Sequence, residues 1–140
     1  MDQKELVLAS MAAANGGVYQ PVHIQKLIFL FQERTQKGSV FNFIPFDYGP
    51  YDASIYHRLE ELASAGMVEI VGGPYTKRRL YKLTSKGVDI ANVELNKLSP
   101  RDRDYLIRLS EWVRSITFAQ LVGAIYTAYP EMRQNSVFRG

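Results

Sequence analysis

The stretch from Pro21 to Gly66 constrains this chain most. Pro21 suits the first position of a helix, where its missing N–H costs nothing. Ile24, Leu27, Ile28 and Phe31 then recur at helical spacing, and Leu30 widens the stripe. The unbroken apolar run 27–31 predicts a central helix covered on most sides. Residues 35–51 follow no simple period, and Gly38, Pro45, Gly49 and Pro50 punctuate them. Yet Val40, Phe41, Phe43, Ile44, Phe46, Tyr48 and Tyr51 are too apolar for a disordered linker. An ordered loop folded onto the core is expected, with extended backbone at Tyr48 before a sharp turn at Gly49-Pro50. A third helix follows, capped by Asp52 or Ser54. It turns Ile55, Leu59 and Leu62 inward and Ser54, His57, Arg58, Glu61 and Ser64 outward, and Gly66 ends it.

The flanking segments complete a mainly α pattern with one small β-hairpin. Residues 3–14 read as a first helix stopped by Asn15-Gly16-Gly17, and Val18-Tyr19 as a very short strand. Residues 67–71 and 79–83 read as paired strands, with Thr76, Lys77 and Arg78 near the tip. Thr84 caps a fourth helix running to about Asn96. Ser99-Pro100 opens a fifth, with Leu106, Leu109, Trp112, Val113 and Ile116 as its stripe. Thr117 caps a sixth that buries Phe118, Leu121, Val122, Ile125 and Tyr126, and residues 131–140 read as a looser tail.

At 140 residues and 46% hydrophobic content, one domain with a sizeable core is expected. The chain has no cysteine, which excludes disulfides, thiol nucleophiles and Cys-based zinc sites. The start carries no signal-peptide pattern and no apolar run approaches a membrane span, so a soluble, cytoplasmic protein is expected.

Helix, helix, helix, hairpin is the winged-helix order, with additional C-terminal helices here. In DNA-binding versions the third helix enters the major groove and the wing touches phosphate. Lys77, Arg78, Arg79 and Lys82 fit the wing role, with Arg58 and His57 on the third helix as further contacts to DNA. A charged hairpin that only blocks edge pairing explains the same residues. Against double-stranded DNA stands the acidic third helix: residues 47–69 hold five acids and one base, Arg58. The 17 residues 35–51 also replace a turn of roughly 3–4 residues. A scaffold reused for protein binding, with the aromatic loop as contact surface, accounts for both features.

Catalytic chemistry finds little support. His23 and His57 lie on different helices, Ser54 has no base beside it, and no metal-ligand or phosphate-binding motif occurs. No enzyme activity, metal or cofactor is expected. Gln25 and Lys26 are polar within an apolar helix. They contact a partner, or they bond the Tyr48-Gly49 turn and hold the loop, and the second role is the expectation.

Residues 24–30, Ile-Gln-Lys-Leu-Ile-Phe-Leu, resemble the LQKLLYF helix of the Panacea, or SocA-like, antitoxin domain family. Phe46-Asp47-Tyr48-Gly49-Pro50-Tyr51 resembles that family's YGP segment, and residues 55–62 resemble the helix after it. Residues 81–87 are also similar to the end of the wing in many winged-helix regulators. The Panacea resemblance covers about residues 4–90. It implies a winged-helix-like domain over 1–98; the helical extension over 99–140 falls outside the resemblance and is expected to extend the core or to offer a surface for a homodimer or partner. The function it implies is an antitoxin-like or phage-defence-associated protein that binds a cognate toxin or defence protein directly. Partner-binding or loop-organising roles then fall to Gln25, Lys26, Tyr48, Gly49, Pro50 and Tyr51. DNA binding through the wing is the alternative.

Overall fold

The computed structural model describes residues 1–35, 38–72 and 79–138. It is mainly α: α1 (Gln3–Ala12), α2 (Pro21–Thr35), α3 (Ala53–Ser64), α4 (Ser85–Lys97), α5 (Pro100–Ser115) and α6 (Phe118–Ala128). Two small antiparallel hairpins interrupt the helices. β1 (Ile44–Phe46) pairs with β2 (Gly49–Tyr51), and β3 (Val68–Val71) pairs with β4 (Leu80–Leu83). A short 3-10 helix over Pro130–Arg133 follows α6. None of the helices among the described residues is long and apolar enough to cross a membrane.

Local chemistry sets the helix starts. Asp2 and Glu5 form a reciprocal capping box on α1, and Thr117 and Gln120 do the same on α6. Asp52, Thr84 and Ser99 each accept a backbone N–H at the head of α3, α4 and α5. α1 stops at Ala12, slightly short of the expected end. Val18-Tyr19 forms no strand; Tyr19 makes an isolated bridge to Tyr81.

The core is enclosed around two helices. α1 buries every residue from Leu6 to Ala12, because α2, α3 and α4 pack around it. Its small Ala9 and Ser10 leave room for that approach. α2 buries the continuous run Ile24–Phe29, polar Gln25 and Lys26 included. α5 packs on α2. Leu106 and Val113 of α5 and Leu121 and Ile125 of α6 join the same hydrophobic cluster as Leu6, Ile24 and Ile55. Tyr19 ties this core internally: its hydroxyl lies 2.7 Å from the Ser10 carbonyl and 2.6 Å from the Ser110 hydroxyl.

Several expectations are corrected by packing. Residues 38–51, expected as an ordered loop, contain the β1–β2 hairpin rather than loop alone. Trp112 of α5 is half-exposed, and the buried face of the helix is formed by Leu106, Ser110 and Val113 instead. Phe118 opens α6 at the surface instead of in the core. The tail is docked through Phe138: the Val137 N–H donates to the Asp47 carbonyl (2.9 Å) and the Ser136 hydroxyl to the same oxygen (3.2 Å).

Two helical glycines test the packing in opposite directions. An added methyl at Gly87 would overlap the Met67 carbonyl, whereas one at Gly123 meets nothing within 4 Å. Gly87→Ala is expected to destabilise by about 2 kcal/mol, and Gly123→Ala to stabilise by about 0.5–1 kcal/mol. Chemical denaturation of both variants checks the two signs.

Candidate functional site

The site grows from the problem of burying a loop. Backbone N–H and C=O groups removed from water need partners. Two glutamines of α2, seven residues apart, supply them. Gln32 accepts from the backbone N–H of Val40 (3.0 Å) and Phe41 (2.9 Å) and donates to the Phe41 carbonyl (2.8 Å). Gln25 donates to the Asp52 carbonyl (2.9 Å) and accepts from the Asp52 N–H (3.0 Å). One glutamine therefore clamps the entry of the segment and the other its exit. Asp52 adds a third tie, since its carboxylate accepts from both Asn42 N–H (2.7 Å) and Ser54 N–H (2.8 Å).

Between the clamps, Pro45 faces Pro50 across the β1–β2 hairpin. Neither has an N–H, so this pair exchanges no hydrogen bonds, and the Pro50 carbonyl is free to bond elsewhere. The Lys26 ammonium donates to it at 3.3 Å. Gly49 adopts φ +105°, a conformation that favours glycine, with Tyr126 and the Lys26 stem packed against it. The turn falls at Asp47-Tyr48, with Gly49 and Pro50 already extended in β2 rather than forming the sharp turn expected there, and the loop-organising polar residues reach Pro50 in that strand and Asp52 after it.

Above Lys26 lies an open groove of about 580 Å³. Gln20, Pro21 and Val22 line it together with Phe46, Tyr48, Tyr51 and Phe118. Phe46 stacks on Tyr51 at 4.9 Å, and Tyr48 meets Phe118 edge-to-face at 5.2 Å. Phe46, Tyr48 and Phe118 remain 45%, 44% and 43% exposed, whereas Lys26 is 5% exposed. Burial alone pushes the Lys26 ammonium down to about 8. Burial likewise raises Tyr56, which donates to the Pro21 carbonyl at 3.4 Å. His23 is half-buried, accepts from the Gln20 N–H at 3.2 Å, and is lowered by burial and then by the Arg114 charge.

The residues predicted for DNA are arranged differently. Lys77 and Arg78 lie outside the described residues. Arg79 sits over the Tyr81 ring and 3.7 Å from Glu60, while Arg58 pairs with Glu61 at 2.9 Å. Lys4 also reaches Glu61, at 3.5 Å. Lys82 is exposed on β4 opposite Glu69, and His57 is exposed on α3. The acids of α3 are therefore matched by local bases. Among the described residues, no group of three or more His, Asp and Glu gathers to hold a metal ion.

Sequence reasoning missed Gln32 and Phe118. Gln32 was detectable as a polar residue seven positions after Gln25 on an apolar helix. Phe118 carried no signal, because an N-terminal aromatic on an amphipathic helix reads as core. The site defines a mainly α protein with an aromatic, lysine-floored groove. Compared with models of protein families and with curated proteins, the chain has no significant match.

The buried lysine has a pH signature. Its native value lies below the unfolded 10.5, so the unfolded chain binds more protons between about pH 8 and 10.5 and stability rises with pH there. The full shift corresponds to roughly 3 kcal/mol. Tyr19, raised to about 12, contributes the opposite trend only above about pH 10. Stability measured from pH 7.5 to 9.5 is expected to climb. Lys26→Met should flatten that climb and gain about 1–2 kcal/mol at pH 7, net of the lost Pro50 hydrogen bond.

Proposed function

We propose that this protein is a non-enzymatic, antitoxin-like binding module that recognises a partner protein through the aromatic groove. One observation carries the reading: three large rings stay half-exposed around a pit whose polar backbone is already satisfied from within. Rings held rigidly by neighbours lose little entropy on binding and are enriched in interface hot spots. Gln25 and Lys26 of the Panacea-like run at residues 24–30, and Tyr48 and Gly49 of the Tyr48-Gly49-Pro50 segment, line this groove. That coincidence supports a toxin or defence protein as the partner. A DNA-binding role is less favoured, because Arg58 and Arg79 are drawn to Glu61 and Glu60.

The test co-expresses the chain with the products of its neighbouring genes. Capture of one of them, with suppression or change of its activity, is the expected outcome. The double variant Phe46→Ala/Tyr48→Ala, which alters exposed rings, should keep its fold and weaken capture by at least about tenfold. Neither binding nor a change of activity with any neighbouring product would sink the proposal.

A further inference from the structure

Lys26 is an ammonium with three donors, buried on the floor of the groove. Its hydrogen bond to the Pro50 carbonyl, at 3.3 Å, is long for a charged donor. No acid lies within ion-pair distance of it among the described residues. Asp47 lines the same groove, but its carboxylate forms no ion pair with Lys26; only its main-chain carbonyl is engaged, by the C-terminal tail. A buried cation without an anion is costly, and nothing in the loop geometry requires a charge to bond one carbonyl. A neutral donor would serve the Pro50 oxygen.

We infer that the partner protein presents an Asp or Glu side chain to Lys26, with an apolar or aromatic neighbour of that acid seated on Phe46, Tyr48 and Phe118. This rests on the protein-binding reading above and names the chemistry of the partner. The adjoining depression continues the same surface, sharing Pro21, Tyr51 and Tyr56. It contains Arg79, whose buried Nε has no hydrogen-bond partner. The two depressions also hold the acids Asp47 and Glu60. These repel a polyanionic nucleic-acid backbone along its length, whereas one carboxylate needs only to reach Lys26.

The test uses two capped dipeptides, N-acetyl-Phe-Glu-amide and N-acetyl-Phe-Gln-amide, titrated into the isotope-labelled protein and followed by NMR shifts at Gly49, Tyr51 and Phe118. The Glu dipeptide should bind about tenfold more tightly than its Gln counterpart. Lys26→Met, an apolar side chain of similar length, should erase that difference while keeping the ring contacts. Equal binding of both dipeptides to the unaltered protein overturns the carboxylate role and leaves groove-mediated protein binding standing. No binding of either at millimolar concentration overturns the inference, and capture of a neighbouring gene product then decides the protein-binding reading separately. A preference for Glu that persists in Lys26→Met also overturns it, by placing the acid elsewhere.

Discussion

The structure depends on how α2 satisfies the backbone of the segment that crosses it. A run of aromatic residues between two helices gains free energy by burying rings, but burying rings drags peptide groups out of water. Gln25 and Gln32 resolve this by acting as surrogate backbone, each offering a donor and an acceptor to one residue or a pair. With both ends clamped, the hairpin between them need not be stable alone. Three-residue strands with an opposed proline pair would not persist in water unaided.

The clamp determines what remains at the surface. With the backbone fixed, Phe41 turns fully into the core and Phe43 packs edge-to-face on Phe29 at 5.3 Å, while Phe46 and Tyr48 are carried outward by the turn. The C-terminal tail reinforces the turn from the other side through Asp47. Phe138 then packs against Phe118 and Tyr126, which sit beside the groove or against Gly49. α6 and the tail are therefore part of the groove's construction. Lys26 is a component of the groove whose charge works against folding, and such local cost is found where binding requires a prearranged group.

Electrostatics along α3 follow a quieter logic. Arg58, Lys4 and Arg79 each find a carboxylate of Glu61 or Glu60, and with the carboxylates open to water these pairs contribute little stability individually. Their effect is to level the potential of a helix that is acidic in sequence. The segment of opposite sign, from Arg79 onward, is folded against it by the β3–β4 hairpin.

Helical period, capping residues and the order of elements were legible because they are local: Asp52, Thr84, Ser99 and Thr117 cap the helices they precede. The sequence by itself determined a mainly α chain with a hairpin after the third helix, and it marked Gln25 and Lys26 as anomalous on an apolar helix. It did not determine which bonds those residues make, because Pro50 and Asp52 lie 24 and 27 positions away and hydrophobic periodicity carries no long-range pairing. Phe118 and Trp112 read as core because amphipathic spacing fixes a face but not whether a neighbour covers it. Only the tertiary packing of α6 and the tail around the turn left Phe118 beside Tyr48, and so turned an aromatic loop into an open groove with a charge at its floor.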